Sequence, residues 1–204
     1  MKPLILASGS PRRAKILRDL GVAFEIVKTE APEISIPHDP VRTVTENACA
    51  KLRAAVDAVA TSCDPPDVAG RAILAADTIV WFNNRIYGKP RDIEEAKEFL
   101  RELSGQTHVV FTGVAFRAED GTERTACAES RVTFRALSEE MIGDYVARVR
   151  PTDRAGAYDI DESGDLIVAS YAGSYENIMG LPVEPLCDFG IVPVRPRQAR
   201  PSRS

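Results

Sequence analysis

Ala72-Ile73-Leu74-Ala75-Ala76-Asp77-Thr78-Ile79-Val80-Trp81-Phe82 carries the strongest strand signal in the chain, an apolar run interrupted only by Asp77 and Thr78. Asn83-Asn84 follows and supplies the positive φ values of a tight hairpin turn. Arg85 to Tyr87 then return as a short strand that ends at Gly88-Lys89-Pro90. Working towards the C-terminus, Asp92 and Glu95 fit a variant capping box that opens a helix to about Leu103. Thr107–Arg117 and Glu123–Phe134 read as two long strands flanking a turn, an antiparallel ribbon. Ser138 caps a further helix to about Val149. A loop through Arg154-Ala155-Gly156-Ala157-Tyr158, a strand near Leu166–Ser170, a Gly/Ser/Asn-rich turn and a last helix over Val183–Phe189 complete this half.

Towards the N-terminus, Asp64–Gly70 is a turn-rich break, and before it Asp39 and Pro40 start a long helix. The apolar stripe of that helix is Val41, Val44, Ala48, Leu52, Ala55 and Val59. Lys28–Pro40, with three Pro and no period, is a loop. Leu4–Ala7 reads as a buried strand, Ser10 as the N-cap and Pro11 as the first residue of a helix closed by Gly21, with a second strand over Val22–Val27. Alternating strands and helices without repeats or a clean linker predict a single α/β domain over residues 1–194.

The chain has 204 residues, 44% hydrophobic and 27% charged, with 26 basic and 30 acidic side chains and a net charge of -4. The last ten residues hold four Arg and no acid, so the first 194 carry 22 basic against 30 acidic groups. Residues 195–204 therefore read as a disordered basic tail, and the acidic body makes a poor general binder of nucleic acid. Four scattered Cys and two His offer no zinc spacing, so reduced thiols are expected. The apolar runs near the start are far shorter than a membrane span or a secretory core, which predicts a soluble, cytoplasmic protein with no membrane partner.

Ser8-Gly9-Ser10-Pro11-Arg12-Arg13 joins a strand to a helix N-terminus, where free N–H groups and the helix dipole favour an anion. It reads either as a phosphate cradle or as a capped helix with two solvated Arg. Asp77 needs compensation in its apolar strand, from a metal, a neighbouring Lys or backbone N–H groups. Lys51 borders the buried stripe of its helix and points either to a cleft or along the core edge. Lys89 is a cation pinned between Gly88 and Pro90. Glu30 and Glu33 lie in a loop that could bring a carboxylate to Mg²⁺.

Taken together, Leu6-Ala7-Ser8-Gly9-Ser10-Pro11-Arg12-Arg13, Ala76-Asp77-Thr78, Gly88-Lys89-Pro90, Leu103-Ser104-Gly105-Gln106-Thr107-His108, Ala155-Gly156-Ala157-Tyr158 and Met179-Gly180-Leu181-Pro182 resemble the Maf family of nucleoside triphosphate pyrophosphatases. The six motifs occur in family order from Leu4 to about Phe189. The resemblance implies an α/β fold, a mixed twisted sheet with flanking helices and two lobes around a central cleft, similar to inosine triphosphate pyrophosphatases. It also implies a homodimer, a divalent cation (Mg²⁺ or Mn²⁺) and cleavage of nucleoside triphosphates to monophosphate and pyrophosphate. By motif, Ser8, Arg12 and Arg13 would bind phosphate, Glu33 and Asp77 would hold metal and water, and Lys51 and Lys89 would neutralise the triphosphate beside the catalytic Asp77.

Arg12 and Thr78 resemble the branch acting on dTTP and UTP. Where that branch reads Gly-Ile-Gln-Gly after Ala-Tyr, this chain has Asp159-Ile160-Asp161-Glu162, and Arg154 stands where Lys is common. Asp161 thus takes the place of a Gln implied to contact the base. The rival readings are a purine house-cleaning pyrophosphatase for inosine or methylated guanosine triphosphates, and a nucleotide-binding regulator of cell division.

Overall fold

The computed structural model describes residues 2–61 and 70–193. Cys63, the basic tail and all of the expected 64–70 break except Gly70 lie outside the described residues. The strands are β1 (Leu4–Leu6), β2 (Phe24–Ile26), β3 (Ile73–Phe82), β4 (Arg85–Tyr87), β5 (Thr107–Arg117), β6 (Glu123–Phe134) and β7 (Val168–Ala172). They form one mixed sheet in the order β2-β1-β3-β5-β6-β7, with β4 also paired to β3.

The arrangement around β3 creates the cleft. β5 runs antiparallel along one edge of β3, from the Ile73↔Arg117 pair to Trp81↔Val109. The opposite edge is shared. β1 pairs with it in parallel at Ile73 and Leu74, whereas β4 pairs in antiparallel fashion at Val80, Trp81 and Phe82. Between these partners lies a stretch of β3, with Asp77 near its middle, that pairs with no other strand on this edge among the described residues. Asn83 and Asn84, with φ of 47° and 59°, make the expected tight turn that brings β4 back.

The helices are α1 (Pro11–Asp19), α2 (Pro40–Thr61), α3 (Ile93–Leu103), α4 (Glu139–Arg148), α5 (Gly164–Ile167), α6 (Tyr175–Ile178) and α7 (Val183–Asp188), with 3-10 turns at Pro151–Asp153 and Ala155–Ala157. α2 covers one face of the sheet, packing Ala48, Leu52 and Ala55 against Ile5, Ile73, Ala75 and Ala115. The other face carries two cores. Leu17 of α1 and Leu186 of α7 pack on Leu6, Leu74 and Val114, while Leu100 of α3 and Ile142 of α4 pack on Val80, Val110 and Val132. Met179 of the first core and Val80, Val110 and Tyr158 of the second line the cleft, together with Thr43, Asn47 and Lys51 of α2.

α2 lies directly against the sheet at Gly113, the β5 residue registered with Asp77. A Cβ at Gly113 would lie 2.4 Å from the Val44 carbonyl oxygen, so the helix backbone rests where a side chain would stand. Only glycine permits that distance. Val44, Ala48, Leu52 and Ala55 are buried as the stripe predicts, but Val41 is exposed, and Thr43 and Asn47 are buried with the stripe.

Local signals agree with the caps in most places. Asp39 Oδ1 accepts from Arg42 N at 2.9 Å, Asp92 Oδ1 from Glu95 N at 2.8 Å, and Ser138 Oγ from Met141 N at 3.2 Å. The Glu95 carboxylate reaches Arg91 N at 2.6 Å rather than its cap residue. Ser10 makes no side-chain cap bond; instead Ser8 Oγ accepts from Ser10 N at 3.1 Å. The strand expected over Leu166–Ser170 begins later, because Leu166 and Ile167 close α5 and bury Ile167 in the core against α3 and α4. Cys49, Cys127 and Cys187 are free thiols. No helix among the described residues is long and apolar enough to cross a membrane.

Candidate active site

Asp77 enters the gap in the sheet edge on the α2 side and is 5% exposed. Its compensation comes from side chains of α2. Lys51 Nζ lies 2.6 Å from Asp77 Oδ1, and Asn47 Nδ2 donates to Oδ2 at 3.0 Å. Asn47 and Lys51 are one helical turn apart and share a face, so a single helix delivers both donors.

Lys51 Nζ also lies 2.7 Å from Glu33 Oε1. One ammonium therefore gathers a strand carboxylate and a loop carboxylate. The loop is fixed by the same helix, because Asn47 Oδ1 accepts from Ile34 N at 2.8 Å while Nδ2 donates to Ile34 O at 3.0 Å. Burial would raise the Glu33 carboxyl, but the Lys51 bond and charge, with the charges of Lys89 and Arg13, hold it below its ordinary value.

On the other side of the strand, Arg13 of α1 is bound by neutral acceptors. Its Nε donates to Gly180 O at 2.8 Å, Nη1 to Ser8 Oγ at 3.1 Å and Nη2 to Thr78 Oγ1 at 3.0 Å. Burial lowers its pKa, and the Asp77 charge acts against that shift. Gly180 has φ of +101° and its absent Cβ would sit 3.1 Å from Thr78 Oγ1, which explains glycine at this contact. Thr78 is in turn 3.0 Å from Thr112 Oγ1, whose hydroxyl donates to Asn177 O. Nearby, Lys89 Nζ lies 2.7 Å from Asp153 Oδ1, and Arg12 Nη1 lies 3.1 Å from Asp159 Oδ2.

Ser8, Arg12, Arg13, Glu33, Lys51, Asp77, Thr78 and Lys89 all line one cleft of about 690 Å³. Of the predicted site residues only Asp161 is not brought to it. Asp159 Oδ1 accepts from Asp161 N at 2.9 Å, which turns the chain. The Asp161 carboxylate then accepts from Tyr175 Oη at 3.1 Å and stands 3.7 Å from Lys15 Nζ. Glu30, the other loop carboxylate considered, is exposed and does not line the cleft.

A family model described as Maf-like protein matches residues 3–189. The chain belongs to the Maf family. Among its relatives is a dTTP/UTP pyrophosphatase of Bacillus cereus, 42% identical over 187 residues that span 91% of this chain and 87% of the relative. Another, from Bacillus cytotoxicus and of the same name, is 41% identical over 184 residues, 90% of this chain and 91% of the relative. The solved Staphylococcus aureus Ham1 protein shares 12% identity with a TM-score of 0.46, over 66% of this chain and 73% of that one.

The site of this Maf-family chain includes residues that its motifs did not single out. Asn47 sits within the apolar stripe of α2, and a polar residue at a buried helical position was the available signal. Asp153 and Asp159 carried no local signal of their pairing with Lys89 and Arg12, because those two cations are distant in sequence. The donor set also suits a hard divalent cation. Asp77 and Glu33 offer two carboxylates at one point, while the described residues contain no group of three or more His, Cys, Asp or Glu that could cage a metal. Mg²⁺ commonly uses one or two carboxylates and completes its shell with water and substrate phosphates, so the residues present fit it.

Proposed function

We propose that this protein hydrolyses nucleoside triphosphates between the α and β phosphates, releasing the monophosphate and pyrophosphate, with dTTP and UTP as preferred substrates. The observation that carries this reading is the Asp77 carboxylate, held by Lys51 and Asn47 in the same cleft as Ser8, Arg12 and Arg13. The names of the 41–42% identical relatives support the choice of base.

In this reading the triphosphate lies along Arg12, Arg13 and Lys89, whose charges and N–H donors match phosphate oxygens. A water attacks the α phosphorus. Its oxygen forms the new P–O bond, the α–β bridging bond breaks with its electron pair going to pyrophosphate, and the water proton passes to an Asp77 oxygen. Each Asp77 oxygen has one lone pair engaged by Lys51 or Asn47 and another left to accept that proton. Lys51 keeps Asp77 aimed and neutralises its charge against the approaching phosphate.

Among the described residues the cleft is lined by five cations (Arg12, Arg13, Lys28, Lys51, Lys89) and four carboxylates (Glu33, Asp77, Asp153, Asp159), which together leave little net charge to offset a triphosphate. Asp77 and Glu33 would hold Mg²⁺ or Mn²⁺, which would supply the remaining neutralisation and polarise the scissile phosphate. The reading extends to a homodimer in the cytoplasm, checked by light scattering and cell fractionation. The deciding experiment is a panel of natural and modified triphosphates with Mg²⁺ or Mn²⁺, scoring pyrophosphate against orthophosphate. The expected outcome is pyrophosphate release, fastest from dTTP or UTP. Orthophosphate as the product, or preference for inosine or methylated guanosine triphosphates, would refute it.

A further inference from the structure

Arg12 reaches the cleft from α1, but its guanidinium is already engaged by Asp159 at 3.1 Å. A phosphate that binds Arg12 must compete with that carboxylate. Lys89 faces the same competition from Asp153, yet the Asp153 side chain is 61% exposed and water can solvate it once released. The Asp159 side chain is 5% exposed. Left without a cation, it would be an uncompensated buried charge, which is strongly unfavourable. The release of Arg12 to substrate therefore needs a second cation for Asp159.

Arg154 meets that need. Its Nε lies 2.9 Å from the same Asp159 Oδ2 that Arg12 touches. The contact is a charge pair without an aligned hydrogen bond, since the buried Nε has no hydrogen-bond partner among the described residues. Its Nη2 donates to Glu162 at 3.1 Å and its Nη1 is 3.8 Å from Asp153. The guanidinium thus borders Asp159, Asp153 and Glu162 while its side chain is 13% exposed and stays out of the cleft lining.

The backbone around it is tied by hydrogen bonds. Arg154 N donates to Pro151 O, Ala157 N donates to Arg154 O, and Gly156 N donates to Gly88 O, next to Lys89. Tyr145 Oη holds both the N–H and the carbonyl of Asp159. Lys89, Asp153, Arg154, Asp159 and Arg12 consequently alternate in sign along one side of the site.

We propose that Arg154 is a positioning residue for substrate binding: it retains the buried Asp159 carboxylate so that Arg12 can turn from Asp159 to a substrate phosphate. The inference rests on the phosphohydrolase reading above and adds a residue that does not itself touch substrate. Without Arg154, Asp159 would depend on Arg12 alone and would hold it back from the nucleotide.

The test uses Arg154→Gln, Asp159→Asn and the double variant in the full chain, with two readouts. One is KM and kcat for the best nucleotide, and the other is the Kd of inorganic tripolyphosphate by calorimetry. Arg154→Gln is expected to raise KM and the tripolyphosphate Kd on the order of tenfold, with kcat within about twofold, because a charge-assisted contact is withheld in binding. Adding Asp159→Asn should recover most of that loss, since the competing carboxylate is gone. A merely structural role would make the second substitution add to the first. KM and Kd unchanged in Arg154→Gln, or a double variant weaker than the single one, would overturn the proposal. If Arg154→Gln does not fold, Arg154→Lys gives the same comparison with a smaller shift and the same recovery. Wild-type protein that binds tripolyphosphate but hydrolyses no nucleotide would sink the functional reading, while the Kd series would still decide the role of Arg154.

Discussion

Asp77 and Asp161 are both acids placed at the site by motif, and their surroundings give them different prospects. Asp77 is buried between an ammonium and an amide in the cleft, so Asp77→Asn keeps the shape but removes the proton acceptor and half of the metal-binding pair. Turnover should fall on the order of 10²-fold or more with the melting temperature little changed. Steady-state rates and a thermal melt on one preparation test this, and activity within a fewfold of wild type would remove Asp77 from the mechanism. Asp161 instead serves Tyr175 and Lys15. Asp161→Gln should therefore leave kcat/KM ratios across the nucleotide panel within about twofold, below the scale of a hydrogen bond made or lost to a base. A larger change in the pyrimidine-to-purine ratio would return Asp161 to base recognition.

At the scale of elements, the site depends on how α2 lies on the sheet. The helix carries Asn47 and Lys51, and its distance from β3 is set at Gly113, where its backbone occupies the place of a side chain. Gly113→Ala would put a Cβ 2.4 Å from Val44 O, and neither main chain can yield without moving an element. The expected cost is about 1–3 kcal/mol of stability from overpacking. The activity loss should be greater than that implies, towards 10²-fold, because the donors to Asp77 shift with the helix. Urea unfolding paired with kcat decides it; a variant of normal activity would show that α2 is not held in place at this glycine.

For the molecule as a whole, acid stability should report on His108. The ring is fully buried in the core against α3 and α4, edge-on to Phe134 and Tyr158, and bonded through Nε2 to Tyr158 Oη at 2.9 Å. Burial pushes its pKa down from 6.5 to about 4. The native state thus resists a proton that the unfolded chain accepts, so stability is full above the unfolded value and declines as pH falls from 6.5 towards 4, levelling off below. By pH 5 the loss should be about 2 kcal/mol, which denaturant midpoints at pH 7.5 and 5 would measure. His108→Gln should be less stable at neutral pH and show a flatter profile. An equally steep profile in that variant would assign the acid sensitivity to other groups.

Much of this architecture is legible in the sequence because it is encoded within a few residues. The Asn83-Asn84 hairpin, the Asp39, Asp92 and Ser138 caps and the stripe of α2 follow from neighbours three or four positions apart, and the motif order identified the family and most of the cleft. Local signals failed where distant packing won. Leu166-Ile167 looks like the start of a strand, but the core captured Ile167 in a helical turn. The motif suggested Asp161 as a base contact, and the turn held by Asp159 sends its carboxylate outside the cleft. Asn47 and Lys51 find Asp77 across 30 and 26 residues, and Arg12 finds Asp159 across 147. The sequence by itself determined the parts and the family. Only the tertiary structure decided that β1 and β4 divide one edge of β3, and therefore which charges meet in the gap, because such meetings depend on sheet order and helix packing rather than on any local spacing.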